Sequence, residues 1–276
     1  MIQLSREIRF ALVPPDQISE HRPSNSWAGW PATNLAVPQL ILRCLIEGEI
    51  ETKTGYLCNI TVIDQLLRSV VTRTLIPRYH QQCRQKNGTQ SAESILRLAF
   101  AELSAQWTHH ARIVSLSLVV SPFLNYSIAR EEKMNQTAGQ TKVELTEQFE
   151  FSAAHRLHCN DLSDEENREI FGKCNNPAGH GHNYVIEVSV AKEVDSDRGQ
   201  VIAIQDFESI VKRLIIDRLD HKHLNLDVDY FKDVNPSVEN IAIAIYNWLE
   251  GQFGSAELKK VKVFETPKTW AQYCGQ

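Results

Sequence analysis

No CxxC pair occurs in this sequence, although it contains six cysteines: Cys44, Cys58, Cys83, Cys159, Cys174 and Cys274. Thiols scattered in this way over 276 residues exclude a disulfide framework and fit a reducing cytosol. Long apolar runs are missing too, so no stretch approaches the length of a membrane span. The opening residues, MIQLSREIRFALVPPD, lack the apolar core of a signal peptide, and a cytoplasmic location is expected. There is no basic run, and a net charge of -5 gives no electrostatic case for a nucleic-acid or membrane partner. What remains is 42% hydrophobic and 23% charged, the balance of a soluble globular protein with one large domain or two ordinary ones.

Residues 149–184, FEFSAAHRLHCNDLSDEENREIFGKCNNPAGHGHNY, hold the densest chemistry. His180 and His182 are two apart, so in a strand both imidazoles leave from the same side. His155 ends the alternating run Phe149, Phe151, Ala153, His155, which predicts a second strand of the same parity. If the strands pair, three neutral imidazoles converge and leave a fourth position open, the ligand count of a catalytic zinc. Cys174 precedes His180 by the loop NNPAG, which can fold back beside a metal, where a thiol ionises more readily. Asp220-His221 offers a carboxylate and an imidazole for proton relay, although adjacency alone does not make them a bonded pair.

The polar stretch EEKMNQTAGQTK (131–142) reads as a linker with a boundary near residue 138, giving units 1–138 and 139–276. In the second unit, a strand continues through Tyr184, Ile186, Val188 and Val190. A helical stripe follows at Phe207, Ile210, Val211, Leu214, Ile215 and Leu219. Ser237 is placed to cap a further helix, with Glu239 in its first turn. Strands at 260–266 and 270–274 end the chain, and Glu265 shares the side of Val261 and Val263. The first half repeats this plan. Gly55 matches Gly199, residues 66–75 match 210–219, and residues 91–103 match 237–249 without a gap, with Glu93 over Glu239. The expected fold is therefore α+β: two tandem ββααββ units, each an antiparallel four-stranded sheet with two helices on one face. The chemistry is not repeated, because His155 meets Pro14, Asp220-His221 meets Ile76-Pro77, Glu265 meets Val120, and the His-Gly-His region meets WAGWPATN (27–34). The first unit is expected to be structural. Its own histidines, His21, His80, His109 and His110, are expected on the surface.

FSAAHRL, DEENREIFGKCNNPAGHGHNY, LDHKHLN and ETPKTWAQY occur in the order found in the 6-pyruvoyltetrahydropterin synthase family and its relative, 6-carboxytetrahydropterin synthase, and residues 144–276 resemble both. The resemblance implies a tunnelling fold and a homo-oligomer, a trimer or dimer of trimers of two-unit chains, with active sites between subunits. It implies zinc on His155, His180 and His182, Cys174 as base, and Asp220 and His221 as a second acid–base pair serving either their own or a neighbouring subunit's site. Glu265 would be the pterin anchor, with Ser237 and Glu239 as further substrate contacts. The implied substrate is 7,8-dihydroneopterin triphosphate, for whose phosphates Arg156, Lys173 and Lys222 are candidate partners. The long interval CNNPAGHGH resembles the pyruvoyl branch, which eliminates triphosphate to give the diketone. The carboxy branch, which also releases acetaldehyde and serves queuosine-type pathways, is the alternative. A pterin-binding or assembly module without turnover is another. GTP cyclohydrolase or nitrile reductase chemistry matches the motifs less well.

Overall fold

Period-two burial sets the strands, and apolar stripes at helical spacing set the helices that cover them. The computed structural model describes residues 1–18, 25, 27–83, 91–129, 141–194 and 199–275. The expected boundary at 138 and His21 lie outside these residues, as does the expected linker up to residue 140. Its last two residues, Thr141 and Lys142, open a strand instead. The chain divides into two compact units, Met1–Leu145 with Lys192–Val201, and Thr146–Ala191 with Ile202–Gln276.

In the first unit, β1 (Ile2–Ala11), β2 (Gln39–Gly48), β3 (Arg112–Ser121) and β4 (Leu124–Ala129) pair antiparallel in that order. Phe10, Leu42, Ile46, Leu116 and Ile128 supply the buried face of the sheet. Helix α1 (Ile60–Val70) is capped by Asn59, whose side chain accepts the Thr61 N–H. It passes through a five-residue π-helical segment, Val71–Leu75, into α2 (Ile76–Cys83). Helix α3 (Ala92–Gln106) is capped by Ser91, whose Oγ accepts the Ser94 N–H at 3.1 Å. Ile63, Leu67, Leu96, Ala99 and Leu103 are buried on these helices. His80 bonds the Leu12 carbonyl and His110 the Glu49 carbonyl, so both rings engage backbone.

The second unit is built on β5 (Thr141–His155) from Thr146 onward, α4 (Asp164–Phe171), β6 (His180–Val194) as far as Ala191, and α5 (Ile204–Val211). A π-helical segment, Lys212–Ile216, leads to α6 (Asp217–Leu219), the two-residue β7 (Lys222–His223) and α7 (Leu224–Asp227). Then come α8 (Val238–Leu249), β8 (Glu257–Thr266) and β9 (Thr269–Tyr273). The sheet order is β5-β6-β8-β9. β6–β8 and β8–β9 are antiparallel, and β7 runs parallel to the end of β5. Tyr184, Ile186 and Val188 from β6, and Val261 and Val263 from β8, meet Phe207, Val211, Ile241, Ile245 and Leu249 in a buried core. Helix α4 is additional to the expected plan. It starts on a reciprocal capping box, with Ser163 Oγ accepting from Glu166 N–H and the Glu166 carboxylate from Ser163 N–H. Among the described residues, no helix is long and apolar enough to cross a membrane.

One carboxyl in this unit is set against the fold. Burial first, then the charge and hydrogen bond of Glu208, push Glu147 up to about 7. A raised carboxyl contributes stability that is fully present below its unfolded value of about 4.3 and is lost as pH rises through about 7. Glu147→Gln is therefore expected to gain melting temperature relative to the native chain between about pH 5 and pH 8. Scanning calorimetry at both pH values checks this, and an offset that does not change with pH contradicts it.

Candidate active site

The parity that buries Phe151 and Ala153 also drives His155, the last residue of β5, onto the helix-covered side, where it is fully buried. β6 begins at His180, so His180 and His182 leave on the same side as Tyr184 and Ile186. Gly179 permits the approach between the strands. Its φ is +72°, and a Cβ there would lie 2.7 Å from His223 Nε2 and 3.0 Å from the His155 carbonyl. The loop before it is stitched by Gly179 N–H to the Asn176 carbonyl at 2.8 Å and by Asn176 Nδ2 to the Gly179 carbonyl at 3.1 Å.

The three imidazoles meet. Ring centroids are 4.5 Å apart for His155 and His180, 4.9 Å for His180 and His182, and 5.3 Å for His155 and His182. Glu265, one step beyond Val263 on β8, joins them, with Oε1 at 3.5 Å from both His155 Nε2 and His182 Nε2. The ligand atoms of these four residues all lie within 4.8 Å of one another. Tetrahedral zinc, with bonds of about 2.0–2.1 Å, spaces its ligand atoms by roughly 3.3 Å. His155 Nε2 and His180 Nε2 are 3.1 Å apart, close to that spacing. The position expected to be open is thus faced by the Glu265 carboxylate.

The protonation states suit a cation. His155 Nδ1 donates to the Pro236 carbonyl at 2.7 Å, with the Tyr184 hydroxyl at 3.4 Å, so the Nε2 lone pair points into the cluster. Desolvation lowers His155 to about 4 and also lowers His180, where the neighbouring His182 adds to the effect. Both rings are neutral at physiological pH, as metal ligands must be. His182 Nε2 is buried without a hydrogen-bond partner. This donor set fits zinc.

Cys174 lies in a short 3-10 turn, Gly172–Asn175, half-buried, and its carbonyl accepts the Leu157 N–H at 2.9 Å. Burial first, then Glu265 and Cys174, push the Tyr184 phenol up, so the thiol shares the electrostatic surroundings of a ring packed on His155 and His182. Asp220 and His221 do bond to each other, with Oδ2 2.8 Å from Nδ1. Both are latched to β5: Asp220 Oδ1 accepts the Ser152 N–H at 2.9 Å, and the His221 N–H donates to the Ser152 carbonyl at 2.6 Å. These bonds hold Asp220 below the usual carboxylate range, with Ser152 the larger cause and His221 next. His221 adopts φ +56°, a strained conformation for a non-glycine residue, and its side chain is 83% exposed. A cleft of about 670 Å³ has both His182 and His221 on its wall, so the cluster and the pair face one space.

Ser237 and Glu239 start α8: Ser237 Oγ accepts the Asn240 N–H at 3.3 Å, and exposed Glu239 lies in the first turn. The residue just before them, Pro236, reaches His155 through its carbonyl. Sequence reasoning missed that contact, since a backbone acceptor leaves no sequence signal. Tyr184 reads in the sequence only as a core residue, and helix α4 is absent from the expected plan although its Ser163-to-Glu166 spacing is visible in the sequence.

A family model described as 6-pyruvoyl tetrahydropterin synthase matches residues 144–276. The human 6-pyruvoyl tetrahydrobiopterin synthase is 43% identical over 135 residues, covering 49% of this chain and 93% of the relative. The 6-carboxy-5,6,7,8-tetrahydropterin synthase of Bacillus subtilis is 30% identical over 137 residues, covering 47% of this chain and 84% of that one. Among solved structures, the Caenorhabditis elegans 6-pyruvoyl tetrahydropterin synthase matches at 42% identity and a TM-score of 0.46, over 49% of this chain and 96% of that one.

Proposed function

Because the chain belongs to the 6-pyruvoyl tetrahydropterin synthase family, we propose that it is a zinc-dependent lyase converting 7,8-dihydroneopterin triphosphate to 6-pyruvoyltetrahydropterin with elimination of triphosphate. The observation that carries this reading is the convergence of His155, His180, His182 and Glu265, with ligand atoms within 4.8 Å, in the half that the family model matches. Bound to the three imidazoles, zinc supplies a Lewis acid that makes the hydroxyl-bearing carbons of the substrate's tail more acidic. Cys174 takes a carbon-bound proton on Sγ. His221, oriented by the Asp220 carboxylate, carries protons to and from the tail. Glu265 accepts two parallel N–H bonds from the aminopyrimidinone edge.

The greater identity to the human pyruvoyl enzyme than to the Bacillus carboxy enzyme favours the diketone product. Incubating the zinc-loaded protein with dihydroneopterin triphosphate tests this directly. The expected products are triphosphate and the pyruvoyl compound without acetaldehyde; acetaldehyde release would assign the carboxy reaction instead. The first unit is proposed to be a non-catalytic tandem copy. The like-capped helices α3 and α8 and the π-helical segment in each unit support that reading. A cytoplasmic homo-oligomer, a trimer or dimer of trimers, belongs to the same proposal.

A further inference from the structure

Three cationic side chains gather in a second cleft of about 530 Å³, which contains none of the imidazole cluster, Glu265, Cys174 or the Asp220–His221 pair. Arg156 comes from just beyond β5, Arg168 from α4 and Lys173 from the turn before Cys174, while Asp164 is the one carboxylate on the same wall. Arg156 is fixed in place. Its backbone exchanges bonds with the Asn225 amide at 2.8 and 3.0 Å, and its Nε donates to the Asn175 carbonyl at 3.2 Å. That leaves the two terminal nitrogens for a ligand. Arg168 meets Glu165 at 2.7 Å, but both side chains are well exposed, so the pair is weak and exchangeable. Among the described residues, Lys173 has no ion-pair partner.

The position of the cleft matters as much as its charge. Arg156 directly follows His155, and Lys173 and Asn175 flank Cys174. Leu157 N–H to the Cys174 carbonyl at 2.9 Å, and Asn175 Nδ2 to the Leu157 carbonyl at 2.8 Å, tie the two segments together. The cleft therefore begins one residue from an imidazole of the cluster and on either side of the thiol. Lys222, in the other cleft, is the one lysine or arginine on that wall.

We propose that Arg156, Lys173 and Arg168 form the subsite for the polyphosphate of the substrate, with Arg156 and Lys173 as the principal contacts. The assignment rests on the triphosphate ester proposed above as substrate. Guanidinium groups pair with phosphate oxygens through parallel N–H bonds, and an ammonium adds a point charge. When the carbon–oxygen bond breaks, its electron pair stays on the triphosphate oxygen. Cations at that end then meet more charge in the transition state than in the ground state.

Calorimetric titration of the full-length, zinc-loaded protein with inorganic tripolyphosphate tests the subsite without turnover. Arg156→Gln and Lys173→Gln are each expected to weaken binding about tenfold or more, Arg168→Gln about threefold, and Lys222→Gln less than about twofold. Lys173 is exposed, so its variant keeps the test valid if Arg156→Gln fails to fold. Wild type that does not bind tripolyphosphate, native affinity in Lys173→Gln, or a loss confined to Lys222→Gln would each overturn the assignment. If binding follows the expected order but no pterin is turned over, the subsite stands and the reaction assignment falls. Turnover with an unchanged KM in both principal variants would do the reverse.

Discussion

His182→Ala is expected to lower turnover of dihydroneopterin triphosphate by about a thousandfold, or about 4 kcal/mol of barrier, while leaving the fold intact. His182 occupies the third residue of β6, its side chain 21% exposed, so truncation opens little core. Its Nε2 makes no hydrogen bond within the protein, so truncation breaks none of the fold's own hydrogen bonds. What is lost is one of three imidazole donors that converge, with Glu265 facing them, on one site. His155 is a poorer choice for the same test: it is fully buried and bonded to Pro236, so its removal would mix unfolding with loss of function. Steady-state kinetics with a melting curve separates the two effects. Native turnover in His182→Ala would remove the imidazole cluster from the mechanism.

Cys174→Ala should lower kcat by about 10²–10⁴-fold, the usual contribution of a positioned base, with bound metal retained. The turn that carries the thiol is held by backbone and by Asn175, through Leu157 N–H to the Cys174 carbonyl and Asn175 Nδ2 to the Leu157 carbonyl. None of these bonds uses the sulfur, so alanine keeps the scaffold. KM should change little, because the base acts on a carbon-bound proton rather than on the recognition edge of the substrate. Full product formation by the alanine variant would exclude the thiolate base.

The site was legible where a strand's two-residue period decides which side a group takes. Phe151, Ala153 and His155 share a side, as do His180, His182 and Tyr184, and as do Val261, Val263 and Glu265. Those three parities bring the cluster together once β6 pairs with β8 in the register Val185 to Phe264. The register itself was not legible, because it depends on contacts between distant segments. For that reason Glu265, read as a pterin anchor, was not foreseen beside the imidazoles. The bond between Asp220 and His221 was also out of reach, since it needs the left-handed turn at His221 and the latch to Ser152. Helix α4 was missed for a different reason. Its capping box is visible in the spacing of Ser163 and Glu166, but the segment DEENREIF carries too few apolar residues to show a helical stripe. Thr141 and Lys142, read as linker from their polarity, pair as strand, where sheet hydrogen bonds outweigh a weak local preference.

Metal content per chain tests the central claim most directly. Zinc measured by plasma mass spectrometry after exhaustive dialysis should be one per native polypeptide and below about 0.1 in His182→Ala. Two ions per native chain, none at all, or an undiminished ion in the variant would contradict a single zinc held by the three imidazoles.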